Sequence, residues 1–190
     1  MSDFEFIFVL YGLLLGLALA ELLSGLGNAL EARLTPRRQG ERFRIGWLTP
    51  LLALFVMLDL LSFWVFAWRV RDDLVVSARG LLAVMLFSSA YYLAARLVFP
   101  KEPAALKTLD AHYEAVKRPV MAILVGLLAV QWAFLASLPG RAAMLTPLVI
   151  GLTLLLVALM AAVAFVRDQR LSIALLVVLV ARYLWIYALN

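Results

Sequence analysis

Six runs of about twenty predominantly apolar residues fill this chain, at positions 4–30, 46–68, 78–99, 119–138, 142–166 and 171–189. A hydrocarbon core about 30 Å thick is crossed by about 20 apolar residues of α-helix, so each run is long enough to span it. The chain therefore reads as an all-α, polytopic integral membrane protein, with six transmembrane helices joined by short loops in one domain over 1–190. Composition agrees. With 66% hydrophobic and 15% charged residues and a mean hydropathy of +1.01, a soluble fold of this size could not hide its apolar surface. The first run has no basic stretch before it, is too long for a signal peptide and lacks a clear cleavage site, so it is expected to be a retained helix.

Basic residues alternate between the two ends of the helices. Arg33, Arg37, Arg38, Arg42 and Arg44 fill the first loop. Arg96, Lys101, Lys107, Lys117 and Arg118 lie in or beside the third, and Arg167 and Arg170 flank the fifth. The opposite side has Arg69, Arg71, Arg79 and Arg141, offset in part by Asp72 and Asp73. Twelve against four places loops one, three and five in the cytoplasm and both termini outside, in the inner (plasma) membrane. Fourteen arginines against three lysines suggest a GC-rich bacterial genome by association. Trp47, Trp64, Trp68, Trp185 and Tyr187 near the ends of their runs suit the headgroup zone. Pro50, Pro119 and Pro147 suit helix starts, while Pro100 and Pro139 follow helix ends. In the third loop, Leu106, Leu109, Tyr113 and Val116 recur at spacings of three and four. Residues 103–117 can thus form an amphipathic helix on the cytoplasmic surface, a connector between helices three and four.

Several chemistries are excluded or disfavoured. The chain has no cysteine, which removes disulfides, thiolate catalysis and cysteine-ligated metals. Its one histidine, His112, is expected as a solvated loop residue, so bis-histidine haem ligation is impossible. No lysine lies within an apolar run to carry a Schiff base, and no phosphate-cradling glycine loop or hydrolase motif appears. Glu21 and Asp59 are offset in depth, against a paired aspartyl protease. No cofactor or metal is expected, and an enzyme is the weakest class. The net charge of +5 is explained by topology and does not imply nucleic acid.

Charge inside the apolar runs is the lead to function, because an ionised side chain at a helix centre costs about 2.5–3.5 kcal/mol on insertion scales. A rise of 1.5 Å per residue sets depths. Asp59 lies about 20 Å above the start of its run at Gly46, Arg182 about 17 Å above Leu171, and Gln131 about 18 Å above Pro119. The three share a midplane layer. Neither Asp59 nor Arg182 has a charged neighbour three or four residues away, so pairing across helices is expected. A second layer lies nearer the cytoplasm. Glu21 is about 10 Å above Asn28, and Ser88, Tyr92 and Arg96 form a four-spaced stripe. Arg96 can pair with Glu21 or snorkel past Pro100 to the headgroups. Gly12, Gly16, Ala20 and Ser24 also recur every four residues. This ridge admits a close backbone contact and, with the polar arc of Glu21, Ser24 and Asn28, makes helix one the expected centre of the bundle.

The leading functional expectation is a channel or transporter for an ion, a proton or a small solute. Asp59, Arg182 and Gln131 form its midplane element, and Glu21, Tyr92 and Arg96 its cytoplasmic-side element. An Asp59–Arg182 pair that only fixes helix register is the structural alternative. A non-transporting accessory or scaffold subunit, binding a protein partner through the cytoplasmic loops, is the second class, and an enzyme acting on lipids through the third loop is the third. The ridge on helix one could also join a homo-oligomer. A weak echo between Leu48-Thr-Pro-Leu51 and Leu145-Thr-Pro-Leu148 raises the question of two inverted halves.

Overall fold

The computed structural model describes residues 3–35, 43–74, 76–106, 108–138 and 146–189. Arg37, Arg38, Arg42, Lys107, Arg141 and Pro139, which entered the topology argument, lie outside the described residues. The helices are α1 (Asp3–Leu34), α2 (Leu48–Arg69), α3 (Ala78–Val98), α4 (Leu109–Ser137), α5 (Pro147–Phe165) and α6 (Gln169–Leu189). All six are long and apolar enough to cross a membrane.

Four boundaries fall within a few residues of expectation; α1 and α4 are longer. The surface connector expected over 103–117 is not a separate helix. Pro103–Ala105 forms a single 3-10 turn, and the rest begins α4, which runs on through Pro119. The apolar stripe is nonetheless used, since Leu109, Tyr113 and Val116 are buried and continue into Val120 and Leu124. A mid-helix proline loses one backbone bond and costs about 3 kcal/mol. Here the preceding turns are fastened independently. The Thr108 hydroxyl accepts from the Asp110 amide at 3.2 Å as an N-cap, and Thr49 Oγ1 donates to the Leu109 carbonyl at 3.1 Å.

Helix ends on the loop-one side are tied together by polar contacts. The Leu109 amide donates to the Arg44 carbonyl at 3.2 Å. Gly46 turns the chain into α2 with φ +68°, a conformation open to glycine, and the Asp110 carboxylate occupies the space its Cβ would fill. Buried Lys117 and exposed Arg118 donate to the carbonyls of Val166 and Ala164, which places cations at the C-terminus of α5. Lys117 also pairs with Glu114 at 2.7 Å. His112 is not a solvated loop residue. It is half-buried in the first turn of α4, with Nε2 3.0 Å from the Leu97 carbonyl. At the other end, the Val76 amide donates to Asp3 Oδ2 at 3.1 Å.

The most extensive pairings are α1 along α3, α2 along α6 and α3 along α4, and α2 also touches α1, α3 and α4, which brings it against four other helices. The centre is therefore α2, where Leu52, Phe55, Val56, Leu60 and Phe63 are buried, and not the expected α1. Helix α1 runs parallel to α3 from Asp3 beside Val76, through Tyr11 beside Phe87, to Gly25 beside Phe99. Its buried stripe is Ile7, Tyr11, Leu15, Ala18, Leu22, Gly25 and Ala29. The two halves do not repeat each other, because α4 and α6 form no contact comparable to α1 with α3.

Candidate functional site

The polar centre is built on Asp59, in the middle of α2 and only 5% exposed. Buried among packed helices, this carboxyl has protein groups for partners. Tyr183 of α6 donates to Oδ1 at 2.6 Å. Tyr91 of α3 lies 3.1 Å from Oδ2 and 2.8 Å from the carbonyl of Val56. Tyr187, one turn beyond Tyr183, donates to the Leu58 carbonyl at 2.8 Å. These rings are fixed by packing: Phe63 stands edge-on to Tyr91 at 5.5 Å, and Phe55 lies 6.0 Å from Tyr183.

Counting hydrogens shows what this cluster can do. Tyr91 has one hydroxyl hydrogen and two acceptors within reach. Given to Val56, the shorter contact, it leaves the approach to Oδ2 to be bridged by a proton on Asp59, donated to the Tyr91 oxygen. Given to Oδ2, it serves an ionised carboxylate. The same heavy-atom positions thus accept Asp59 with or without a proton.

Arg182 is at the expected depth, yet no ion pair joins it to Asp59 among the described residues. Its Nη2 lies 3.5 Å from the Leu152 carbonyl of α5, at the limit of a hydrogen bond, and its guanidinium lies 5.3 Å from the centre of the Tyr183 ring. It acts on Asp59 through space, with Nε buried and unpartnered. The carboxylate is closed off by neutral hydroxyls and the cation stands behind one of them.

Gln131 does not join this cluster. It lines a cavity of about 370 Å³ toward the loop-two end, between α1, α2, α3 and α4. Phe63, in the cavity wall, is one turn from Asp59 along α2.

The second expected polar layer draws on Glu21 of α1 and on Tyr92 and Arg96 of α3. Arg96 Nη1 meets Glu21 Oε1 at 2.8 Å, joining α3 to α1, so pairing and not simple snorkelling describes this arginine. Tyr92 is half-buried against the core, while Ser88 is buried with its hydroxyl unpartnered. The small ridge of α1 differs most from expectation. A Cβ on Gly12 would stand in ordinary contact with the Trp64 ring at 3.6 Å, and a Cβ on Gly16 would meet nothing within 4 Å. Ala20, Ser24 and Asn28 are exposed. The ridge points outward because the bulkier stripe through Leu15 and Leu22 fills the groove against α3.

Tyr91, Tyr183 and Tyr187 carry no formal charge, so a pairing rule based on charge passes over them as partners for Asp59. A search for neutral donors at the same depth would have found Tyr183 beside Arg182. Compared with known proteins, the chain matches no family model, no curated protein and no solved structure.

Proposed function

We propose that this protein moves a proton, an ion or a small solute across a bacterial inner membrane, with Asp59 as the group that binds and releases a proton during the cycle. The observation that carries this reading is the hydroxyl-held carboxyl at the centre of α2. A carboxylate locked to an arginine has its charge cancelled and serves mainly to fix register. One held by tyrosine hydroxyls remains able to change protonation without repacking. Arg182 tunes that centre electrostatically, and the cavity above Phe63 and Tyr11 gives a solute a place beside it. Glu21 and Arg96 lie toward the other end of α1 and α3 and act as the cytoplasmic-side polar element.

Proton flux into liposomes, read by a trapped pH-sensitive dye, tests this reading. Wild-type protein should exceed protein-free vesicles, and Asp59→Asn, which keeps the shape and removes the titrating group, should lower flux at least tenfold while remaining folded. Full flux in folded Asp59→Asn would reduce the carboxyl to a structural element. A wild type without flux would favour the accessory-subunit reading, in which a protein partner binds through the cytoplasmic loops.

The positive-inside count puts loops one, three and five in the cytoplasm and both termini outside. Exposed positions on the two sides make this testable in a chain with no native cysteine. A membrane-impermeant thiol reagent applied to intact cells should label Asp72→Cys and spare Asp168→Cys. The reverse pattern would invert the topology.

A further inference from the structure

The cavity above the Asp59 cluster has a chemistry of its own. At about 370 Å³ it falls within the range of small-molecule sites. It runs from the loop-two end, where Asp73 and Ser77 line it, to Tyr11 and Gln131 at its inner end. From Ser77 to Phe87, both in its wall, α3 rises about 15 Å. The shape is a slot along the bundle.

Its walls carry aromatic rings, and Asp73 is the one ionisable carboxyl among the described lining residues. Arg69, Arg71 and Arg79 crowd the same end of the bundle but are exposed and take no part in the lining. Aromatic faces attract cations more strongly as water is removed. With acid at the mouth, aromatic rings along the sides and the Asp59 carboxyl one helical turn below Phe63, the slot is complementary to positive charge on an apolar body. An anion finds no cation among the described lining residues. A plain acyl chain would fill the volume but offer the Gln131 amide no polar partner.

We propose that this slot binds a lipophilic organic cation. As the solute that is moved, such a cation rests on the transport reading above; as a bound ligand it does not. With Phe63 of the slot wall one turn from Asp59, the bound cation and the proton on that carboxyl would compete electrostatically.

Tetraphenylphosphonium and tetraphenylborate, alike in shape and opposite in charge, provide the probes. Equilibrium dialysis against the purified full chain in detergent micelles should show saturable binding of the phosphonium, one per chain, and at least tenfold weaker binding of the borate after subtraction of empty micelles. Asp73→Asn should shrink that preference. Ala83→Trp, which fills the slot from its wall on α3, should weaken phosphonium binding at least tenfold with the helical circular dichroism unchanged. Equal binding of the two ions, or indifference to Ala83→Trp, would overturn the proposal. So would a lipid that co-purifies one per chain and is lost in Ala83→Trp, because the slot would then belong to an acyl chain. Asp59-dependent proton flux without phosphonium binding refutes the cation site and leaves the transport reading standing. Phosphonium binding without any flux does the converse.

Discussion

Gly25→Ala should unfold the bundle at markedly lower temperature than wild type, and Gly25→Val should fail to assemble. A Cβ at this position falls 2.5 Å from Phe99 Cδ2 and 2.6 Å from Phe99 Cβ and Cγ. Turning the phenylalanine ring cannot relieve this, since its own Cβ is fixed by the backbone of the α3 end. The parallel seam of α1 and α3 must open instead. Overpacking usually costs about 1–3 kcal/mol, and a clash with an immobile atom belongs at the upper end. Gly16→Leu is the control. No atom lies within 4 Å of its added Cβ, so the change should stay within about 0.5 kcal/mol for a single chain. Thermal melts in micelles followed by circular dichroism decide between them, and equal melts for wild type and Gly25→Ala would show that the seam is not formed. A mass shift of Gly16→Leu in light scattering would instead reveal a second copy seated on the outward ridge.

The second large effect is expected at Asp59. Asp59→Ala removes the acceptor for Tyr183 and strands a buried hydroxyl, at a cost of about 3 kcal/mol once the lost packing is included. In a thermodynamic cycle, Asp59→Ala and Tyr183→Phe should be coupled by about 2 kcal/mol, the range of a hydrogen bond to a charged group. Asp59→Ala and Arg182→Gln should be coupled by less than about 1 kcal/mol, because no direct contact is lost. A larger coupling to Arg182 than to Tyr183 would restore the ion pair that the sequence suggests.

Much of this was legible because membrane helices obey few rules. Runs of apolar length gave six helices, and the spacing of Leu109, Tyr113 and Val116 gave a buried face, although not its continuity through Pro119. Depth along a helix is a sum of rises, so Glu21 and Arg96 could be placed at matching heights, and they meet at 2.8 Å. Azimuth is harder. Glycines at 12 and 16 and the glycine at 25 are equally small in a sequence, and only the position of Phe99 on another helix makes Gly25 the contact. The same limit applies to the polar centre. Tyr91 and Tyr92 differ by one residue and about 100° of helical turn, and it is Tyr91 that faces α2. Charge bookkeeping favoured Arg182 over Tyr183 for the same reason: it ranks residues by formal charge, whereas a hydroxyl at 2.6 Å satisfies a carboxyl without any.

The separation between Asp59 and Tyr183 has a consequence for how the chain is made. The two hydrogen-bonded residues are 124 positions apart in sequence. At about 5–20 residues per second, a ribosome delivers the tyrosine about 6–25 s after the acid. Tyr91 arrives earlier, 32 residues behind Asp59, so the nascent chain acquires one hydroxyl long before the other. Through that interval α2 must wait in or beside the insertion machinery with half of its polar partners, and α6 completes the set. A ribosome that stalls before α6 therefore releases a product in which Asp59 lacks the Tyr183 hydroxyl. A membrane quality-control protease could distinguish that product from a finished chain without reading anything else about it.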